Sequence, residues 1–265
     1  MDAPRPVNLS DYLARPAQCE PHLLRLFSAD RELVIFDIGA CEGEESIRYA
    51  RLFPKARIFT FEPLPANQEI IRSNFSRFNV SRAELVPLAL SDKTGTAEFH
   101  VSAGRPPELF CGDDWNYGNK SSSLLPPAET DPMHGWIHFP EKITVQTETL
   151  DRFCERRGIG KIDFIHMDVQ GAESLVLAGA DLQLPRVGAL WLEVSDRELY
   201  KGQKLRTDIE RIMRRRRFWL ATESRGEIEG DQLYVNLRTS AGLVWWLGAR
   251  LRPLRRLLTR LFSRK

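Results

Sequence analysis

The sequence has few cysteines and no long apolar run. Its four cysteines, Cys19, Cys41, Cys111 and Cys154, lie far apart and form no C-x-x-C pair. This spacing argues against a zinc ribbon, a thioredoxin-like site and a disulfide scaffold, and it suits a reducing cytoplasm. No segment has about 18 consecutive apolar residues, and the amino terminus lacks the apolar core of a signal peptide. We therefore expect a cytoplasmic protein with no membrane span and no secretion by the signal-peptide route.

Acidic residues are missing from the end of the chain. The formal net charge of +2, from 38 Lys and Arg against 36 Asp and Glu, divides into +8 after Asp231 and −6 up to it. So small a total does not indicate a nucleic-acid-binding surface over the whole protein. Within residues 241–265, leucines recur at helical spacing beside Trp245 and Trp246, and arginines take other positions. This basic amphipathic tail predicts a peripheral contact with the inner face of a membrane, or else a helix docked on the acidic body or on a partner.

Strand-like runs alternate with helix-like segments over most of the chain. The predicted strands are residues 33–38, 57–61, 84–88, 162–168 and 187–194. This alternation indicates an α/β fold, in which a parallel sheet carries helices on both faces. Residues 218–222 and 233–237 have no helix between them, so we expect them to form a C-terminal antiparallel hairpin.

One long segment has no periodicity. Residues 96–101 and 143–147 alternate like strands, but residues 103–140 are rich in Pro, Gly, Ser and aromatic side chains. Such loops are uncommon unless they are functional or disordered, so we predict a substrate loop or lid. The chain then divides into an N-terminal cap segment (1–32), one domain (33–240) and the basic amphipathic tail (241–265).

Acidic residues recur at or near the carboxyl ends of the predicted strands. They are Asp37, Glu62, Asp92, Asp168 and Glu193. In an open α/β sheet, ligands bind outside these ends, where the strand order reverses, so acids in register predict a binding site. The alternative is that they only cap helices and keep the strand ends hydrated.

The first predicted strand leads into a glycine loop that runs from Gly39 to Gly43. Glycines let the backbone approach a ligand closely, and Glu62 at the end of the second strand can accept both hydroxyl protons of a ribose, which suits an adenosine cofactor. A dinucleotide site would need G-x-G-x-x-G, whereas this loop is G-x-x-x-G with glutamates that would repel a diphosphate. Asp37 suits a cationic amino-acid group. S-adenosylmethionine is therefore favoured, and a dinucleotide oxidoreductase is the weaker alternative.

Five segments, in this order and at these spacings, resemble the FkbM-type S-adenosylmethionine-dependent methyltransferases. The segments are VIFDIGACEGEESIRYA from residue 34, FEP from 61, VPLALSDKTGTAEF from 86, TLDRFCERRGIGKIDFIHMDVQGAESLVLAGA from 149 and WLEVS from 191. The resemblance extends from about residue 33 to 194. It implies a class I methyltransferase, Rossmann-like fold with a seven-stranded sheet.

The resemblance also implies roles for residues in these motifs. Asp37, Gly39, Ala40 and Gly43 look like the loop at the methionine side of the cofactor, and Glu62 looks like the ribose ligand. Ser91 and Asp92 look like the adenine contact. The substrates usual in the family are hydroxyls on sugars or natural products.

Methyl transfer to a hydroxyl also requires a proton acceptor. Asp168 ends the strand that should face the transferred methyl, so we predict that it orients or deprotonates the hydroxyl, with Glu193 as its partner. Alternatively, both acids could hold Mg²⁺, since hard cations take carboxylate oxygens. His166 shares the strand face of Asp168 and could be catalytic or a hydrogen-bonded core residue.

The sequence therefore predicts an S-adenosylmethionine-dependent methyltransferase that acts on a hydroxyl of a small-molecule, sugar, glycan or lipid-linked acceptor. One alternative is N-methylation or carboxyl methylation, because no motif fixes the accepting atom. The other is a catalytically silent scaffold protein that binds S-adenosylmethionine and acts through its tail.

Overall fold

The fold is built on two sheets of unequal size. A computed structural model of the protein describes residues 8–105, 117–128, 135–239 and 241–245. Within them the strands are β1 (Val34–Ile38), β2 (Arg57–Phe61), β3 (Ala83–Val86), β4 (Ala89–Leu90), β5 (Gly95–Gly104), β6 (Ile137–Glu148), β7 (Ile162–Met167), β8 (Val187–Ser195), β9 (Phe218–Glu223) and β10 (Glu229–Asn236). The helices are α1 (Leu9–Ala14), α2 (Glu20–Leu26), α3 (Glu44–Leu52), α4 (Pro65–Arg77), α5 (Leu150–Arg156), α6 (Glu173–Ala178) and α7 (Arg206–Arg215).

The larger sheet has seven strands in the order β3-β2-β1-β7-β8-β10-β9. The five strands from β3 to β8 are parallel, and β10 is antiparallel to both of its neighbours, β8 and β9. The predicted α/β fold and the predicted C-terminal hairpin are therefore confirmed. The chain moves outward from β1 to β3 and later returns to β7 on the other side of β1, so the strand order reverses between β1 and β7.

Local sequence determines where several helices begin. Pro65 occupies the first turn of α4, where its missing N–H costs nothing. The Thr149 side chain accepts a hydrogen bond of 3.2 Å from the Arg152 N–H and caps α5. Gly43 precedes α3 with φ +79°, a conformation that favours glycine.

Helices cover both faces of the large sheet. On one face Phe153 of α5 packs against Phe36, with ring centroids 5.7 Å apart in edge-to-face geometry. On the other face Tyr49 of α3 packs against Phe164 of β7, and Leu23 of α2 lies in the same buried cluster. The second face is therefore closed by the N-terminal helices as well as by α3.

The N-terminal helices are held to α3 by a buried arginine. The Arg48 guanidinium lies 2.6 Å from the Glu20 carboxylate and 2.6 Å from the Arg15 carbonyl oxygen. Leu9 and Leu13 of α1 pack against Ile47 of α3. These contacts hold α1 against α3.

The smaller sheet corrects part of the sequence analysis. Its order is β4-β6-β5. The strand expected at 84–88 ends at Val86, and Ala89–Leu90 joins the smaller sheet instead. β5 extends to Gly104 and β6 begins at Ile137, so both ends of the segment predicted as an irregular loop (103–140) are strands. Most β6 side chains before Val145 are exposed or partly exposed, which removes the apolar alternation that would reveal a strand.

The C-terminal region is described only in part. Residues 241–245 are helical, and Ala241 is buried against the face that carries Tyr49. Residues 246–265, with most of the predicted amphipathic tail, lie outside the described residues. Among the described helices, none is long and apolar enough to cross a membrane. The membrane contact of the tail stays a prediction.

Candidate active site

The main cavity opens at the carboxyl ends of β1, β2 and β7, where the strand order reverses. Its volume is about 420 Å³, within the range of small-molecule sites. Six carboxylate side chains contribute to its wall, namely Asp37, Glu44, Glu45, Glu62, Asp168 and Asp231. Lys120 is the one Lys or Arg in the described part of this wall. The cavity is therefore suited to a ligand with positive charge.

The glycine loop between β1 and α3 forms one side of the cavity. Gly39 and Ala40 line it, and their N–H groups both donate to the Phe61 carbonyl oxygen, at 3.1 and 3.0 Å. Gly39 has φ +84°, and a Cβ there would lie 1.8 Å from the Asp168 carbonyl oxygen. Only glycine lets the backbone after β1 approach the backbone after β7 this closely. Gly43 begins α3 and lies outside the lining.

Asp37 is buried at the base of the cavity. Its carboxylate accepts a hydrogen bond of 2.6 Å from the Ser46 hydroxyl, which also contacts the Thr60 hydroxyl at 2.7 Å. Burial raises the pKa of Asp37 to about 6, and the neighbouring His166 opposes this rise. A cationic ligand group would stabilise the ionised carboxylate.

Glu62 ends β2 and is held by backbone donors. Its two oxygens accept hydrogen bonds from the Cys41 N–H (2.9 Å) and the Leu64 N–H (2.7 Å). Burial nevertheless raises the pKa of Glu62 to about 8. The carboxyl group is thus fixed in position and faces the cavity.

The predicted adenine contact is placed differently. Leu88, Ala89 and Leu90 line the cavity, whereas Ser91 and Asp92 lie just beyond them, outside the lining. The Ser91 hydroxyl instead donates to Asp92. The roles of these two residues stay predictions.

Two buried acceptor atoms in the described cavity wall have no hydrogen-bond partner in the protein. They are Asn119 Oδ1 and Glu45 Oε2. The Asn119 amide nitrogen is engaged by Asn67 Oδ1 (3.0 Å) and Glu42 Oε1 (3.1 Å), so its oxygen is fixed. Unpaired buried acceptors are costly, and a ligand with N–H or O–H donors would satisfy them.

The glutamates of the loop are partly neutralised. Lys120 lies 2.7 Å from Glu44, and Arg48 lies 3.3 Å from Glu45. Repulsion of a diphosphate is therefore weaker than the sequence alone suggests. The remaining carboxylates, above all Asp37, keep the preference for positive charge.

Asp168 and Glu193 are joined by one amide. Gln170 Nε2 donates to Asp168 Oδ1 (2.7 Å) and to Glu193 Oε2 (3.0 Å). Burial raises the pKa of both acids; for Glu193, repulsion by Asp168 and Glu229 adds to the rise. A hydrogen bond from Glu193 opposes the rise at Asp168. Because the pKa of Glu193 is raised well above its ordinary value, the pair favours a proton on Glu193 and the negative charge on Asp168.

His166 lies beside Asp37 in the β1–β7 register and lines the cavity. Its Nδ1 is 2.5 Å from the Tyr49 hydroxyl and 3.9 Å from Glu45 Oε2. The ring is thus tied to the core under the cavity. A catalytic role for His166 stays a prediction, since the hydrogen bond to Tyr49 accounts for its position.

The site belongs to a known type of domain. The family model of the FkbM methyltransferase domain matches residues 37–220. The 2-O-methyltransferase NoeI of Sinorhizobium fredii is 36% identical over 208 residues, which are 77% of this chain and 80% of NoeI. The chain belongs to the FkbM methyltransferase family.

A second curated relative is also a methyltransferase. The 31-O-demethyl-FK506 methyltransferase FkbM of Streptomyces tacrolimicus is 26% identical over 79% of this chain and 82% of its own length. A solved S-adenosylmethionine-dependent methyltransferase from Aquifex aeolicus is similar over 88% of this chain and 100% of its own, with 11% identity and a TM-score of 0.42. The protein is an S-adenosylmethionine-dependent methyltransferase with a class I, Rossmann-like fold.

The residues present fit S-adenosylmethionine. The buried Asp37, the fixed Glu62 and the two unsatisfied acceptors supply partners for an ammonium group, a ribose and further donors. The alternative use of Asp168 and Glu193 as Mg²⁺ ligands finds less support. The described residues contain no group of three or more His, Cys, Asp or Glu arranged to hold a metal ion.

Several cavity residues carry no signal in their own segments of the sequence. Asn67, Asn119 and Gln170 are three of them. Their partners lie up to 77 residues away in the chain, as in the Asn119–Glu42 hydrogen bond. The one available signal was the prediction that the segment around residue 119 is functional.

Proposed function

We propose that this methyltransferase transfers the methyl group to a hydroxyl oxygen on a sugar or sugar-containing acceptor. The observation that carries the proposal is the Asp168–Gln170–Glu193 arrangement, which places a half-buried carboxylate at the wall of the cavity. The names of NoeI and of the FK506 enzyme, both O-methyltransferases, support the same reaction type.

S-adenosylmethionine, when bound, supplies an electrophilic methyl group on a sulfonium sulfur. Asp37 would face its ammonium group and Glu62 its ribose hydroxyls. Methyl transfer breaks the carbon–sulfur bond, forms a carbon–oxygen bond on the acceptor and releases the hydroxyl proton to Asp168. Gln170 holds Asp168 in place for this step, and Glu193 stabilises the ionised form of Asp168 through its own proton.

The acidic surroundings discriminate among acceptors. A carboxylate acceptor would have to approach Asp168 and Glu193, and the repulsion of like charges in a buried site disfavours it. A neutral hydroxyl carries no such penalty. A hydroxyl acceptor also needs the base that Asp168 would provide. An uncharged amine does not need such a base.

A matched set of acceptors tests the proposal. Purified full-length protein would be given S-adenosylmethionine labelled in the methyl group and three series of pyranosides that differ in one group: neutral glycosides, amino-sugar glycosides and uronides. We expect label in neutral glycosides as alkali-stable ethers. Label released by mild alkali would indicate methyl esters, and label on amino sugars alone would indicate N-methylation; either result would overturn the proposal.

One substitution tests the base. Asp168→Asn should lower kcat by about 10² to 10⁴, the usual contribution of a general base, while the affinity for S-adenosylhomocysteine stays within twofold. Asp208→Asn, on the exposed part of α7, is the matched control and should retain full activity. An Asp168→Asn enzyme with normal kcat would remove Asp168 from the chemistry.

A further inference from the structure

A second cavity lies on the other side of Gln170. Its volume is about 270 Å³, and its described wall includes Ser121, Phe139, Gln170, Leu199, Tyr200 and Glu229. Gln170 belongs to the walls of both cavities. The second cavity lies beyond the carboxyl ends of β7 and β8, next to the acid pair.

Hydrogen bonds connect this cavity to the proton acceptor. The Tyr200 hydroxyl lies 3.0 Å from Gln170 Oε1 and 2.8 Å from the Ser121 carbonyl oxygen. The Gln170 amide nitrogen contacts Asp168 and Glu193 on its other side. Ser123 Oγ also donates to the Gln170 carbonyl oxygen, at 2.7 Å. Gln170 is therefore fixed as a divider with one polar end toward each cavity.

The lining of the second cavity combines apolar and polar surfaces. The Phe139 and Tyr200 rings meet edge to face, with centroids 6.2 Å apart, and Leu199 packs in the same cluster. Glu229, Ser121 and the Gln170 amide supply polar groups. A sugar ring has apolar C–H faces and a rim of hydroxyls, so it can use both kinds of surface.

Charge restricts the ligand further. Glu229 repels Glu193 and Asp168 electrostatically, so the carboxyl groups around the divider are close enough to influence one another. An anionic sugar would be repelled here, whereas a neutral ring would not. The volume is that of a small ligand and fits one ring rather than a chain of rings.

We propose that the second cavity binds one neutral pyranose ring of the acceptor, with Phe139 and Tyr200 against the ring and one edge of the ring toward Gln170, whose amide contacts Asp168. This inference rests on the proposed O-methylation of a sugar. It assigns specificity to residues outside the cofactor cavity. Gln170 is a positioning residue in this arrangement, because it holds both the base and the Tyr200 hydroxyl.

Two variants test the pocket. Phe139→Ala removes the ring, and Phe139→Leu keeps apolar volume without a ring. In the full-length enzyme with neutral pyranosides, we expect Phe139→Ala to raise the acceptor KM at least about tenfold and Phe139→Leu to raise it less. The affinity for S-adenosylhomocysteine, measured by calorimetry, should change less than twofold in both. Trp219→Ala is the matched control, since Trp219 is an exposed aromatic on β9 with 54% of its surface accessible.

A third variant tests the charge. Glu229→Gln should increase kcat/KM for a uronide relative to the matching neutral pyranoside. Tyr200→Phe should raise KM for neutral pyranosides, because it removes the hydroxyl that holds Gln170 from this side. Melting temperatures would show that each variant is folded.

The outcomes separate the two proposals. If wild-type enzyme methylates pyranosides but KM is unchanged in Phe139→Ala and Tyr200→Phe, the pocket assignment is wrong and the proposed function stands. If the enzyme methylates only amines, carboxylates or hydroxyls outside sugars, the proposed function fails and the sugar pocket with it. If the wild-type enzyme methylates no acceptor, ligand-observed NMR with the same pyranosides, in the presence of S-adenosylhomocysteine, tests whether they bind. The absence of both transfer and binding would overturn both proposals.

Discussion

We expect the affinity for S-adenosylhomocysteine to depend on the ionisation of Glu62. Burial raises the pKa of this carboxyl to about 8, so most of it is protonated at pH 7 in the free protein. A carboxylate can accept hydrogen bonds from both ribose hydroxyls, whereas a carboxylic acid has lost part of that capacity. Binding should therefore release a proton from Glu62.

The magnitude follows from the pKa. If only the ionised form binds well, the apparent affinity scales with the ionised fraction, which increases about twentyfold between pH 6.5 and pH 8.5 for a pKa near 8. At pH 7 about 0.9 proton should be released per ligand bound. This pH range lies above the pKa of Asp37, which is about 6, so the ionisation of Asp37 contributes little to the change in affinity.

Calorimetry in buffers of different ionisation enthalpy measures both quantities. Glu62→Gln should bind more weakly at pH 8.5 by about 10- to 100-fold, the loss expected for hydrogen bonds to a charged group. Its affinity should be nearly constant with pH. A flat profile in the wild type would refute the argument. A rise that persists in Glu62→Gln would assign the proton to another buried acid, such as Glu173, whose pKa is also raised, to about 7.

Three further predictions concern other parts of the molecule. Because the pKa of Asp168 is raised, kcat should fall on the acid side at a pH above about 4, the ordinary value for a carboxyl, and a limb at the ordinary value would contradict the role of the acid pair. Gly39→Ala should destabilise the fold by about 2–4 kcal/mol, since the added Cβ would overlap the Asp168 carbonyl oxygen. Gly160→Ala is the control, because a Cβ added at Gly160 has no heavy atom within 4 Å. Equal melting temperatures of the two variants would count against the close approach at Gly39. Removal of residues 246–265 should abolish sedimentation with anionic vesicles without altering cofactor affinity, and unchanged sedimentation would refute the membrane contact.

The buried Glu62 also implies a stability change with pH. In the unfolded chain the pKa of Glu62 is 4.5, and in the folded protein it is about 8, so the folded state binds its proton more tightly. The free energy of unfolding should therefore fall as pH rises from about 4.5 to 8, by about 3 kcal/mol at pH 7 from this group alone. Thermal melting of the free protein at pH 6 and pH 8 would detect the loss, and Glu62→Gln should reduce it. A wild-type stability that is constant over this range would contradict the buried acid.

The sequence predicted the parts of the fold that depend on local pattern. Apolar runs with acidic residues at or near their carboxyl ends predicted β1, β2, β7 and β8. The absence of a helix between residues 222 and 233 predicted the hairpin. β6 was predicted too short because its side chains are largely exposed until Val145. No local pattern shows that Ala89–Leu90 leaves the large sheet, because that depends on pairing with Thr147 and Glu148, far along the chain.

The residues of the candidate site also differ in how far local pattern reveals them. Asp37, Gly39, Glu62 and Asp168 could be found because each lies at or just after the end of a strand in its own segment. Gln170 could not be assigned, since its role depends on a simultaneous contact with Asp168, Glu193 and the Tyr200 hydroxyl. Sequence position places Gln170 in a turn; only the fold shows that it separates two cavities.

In the proposed reaction, the acid pair would keep the net charge of the site constant. A positive sulfonium and a negative Asp168 would be replaced by a neutral sulfide and a protonated Asp168. Creating an unpaired charge in a buried site would be costly, and this arrangement creates none. Asp168→Asn would remove the proposed proton acceptor and so disfavour the positive charge that develops on the acceptor oxygen as the carbon–oxygen bond forms. We therefore expect the proposed base to serve charge balance as well as to compensate for the low acidity of a hydroxyl.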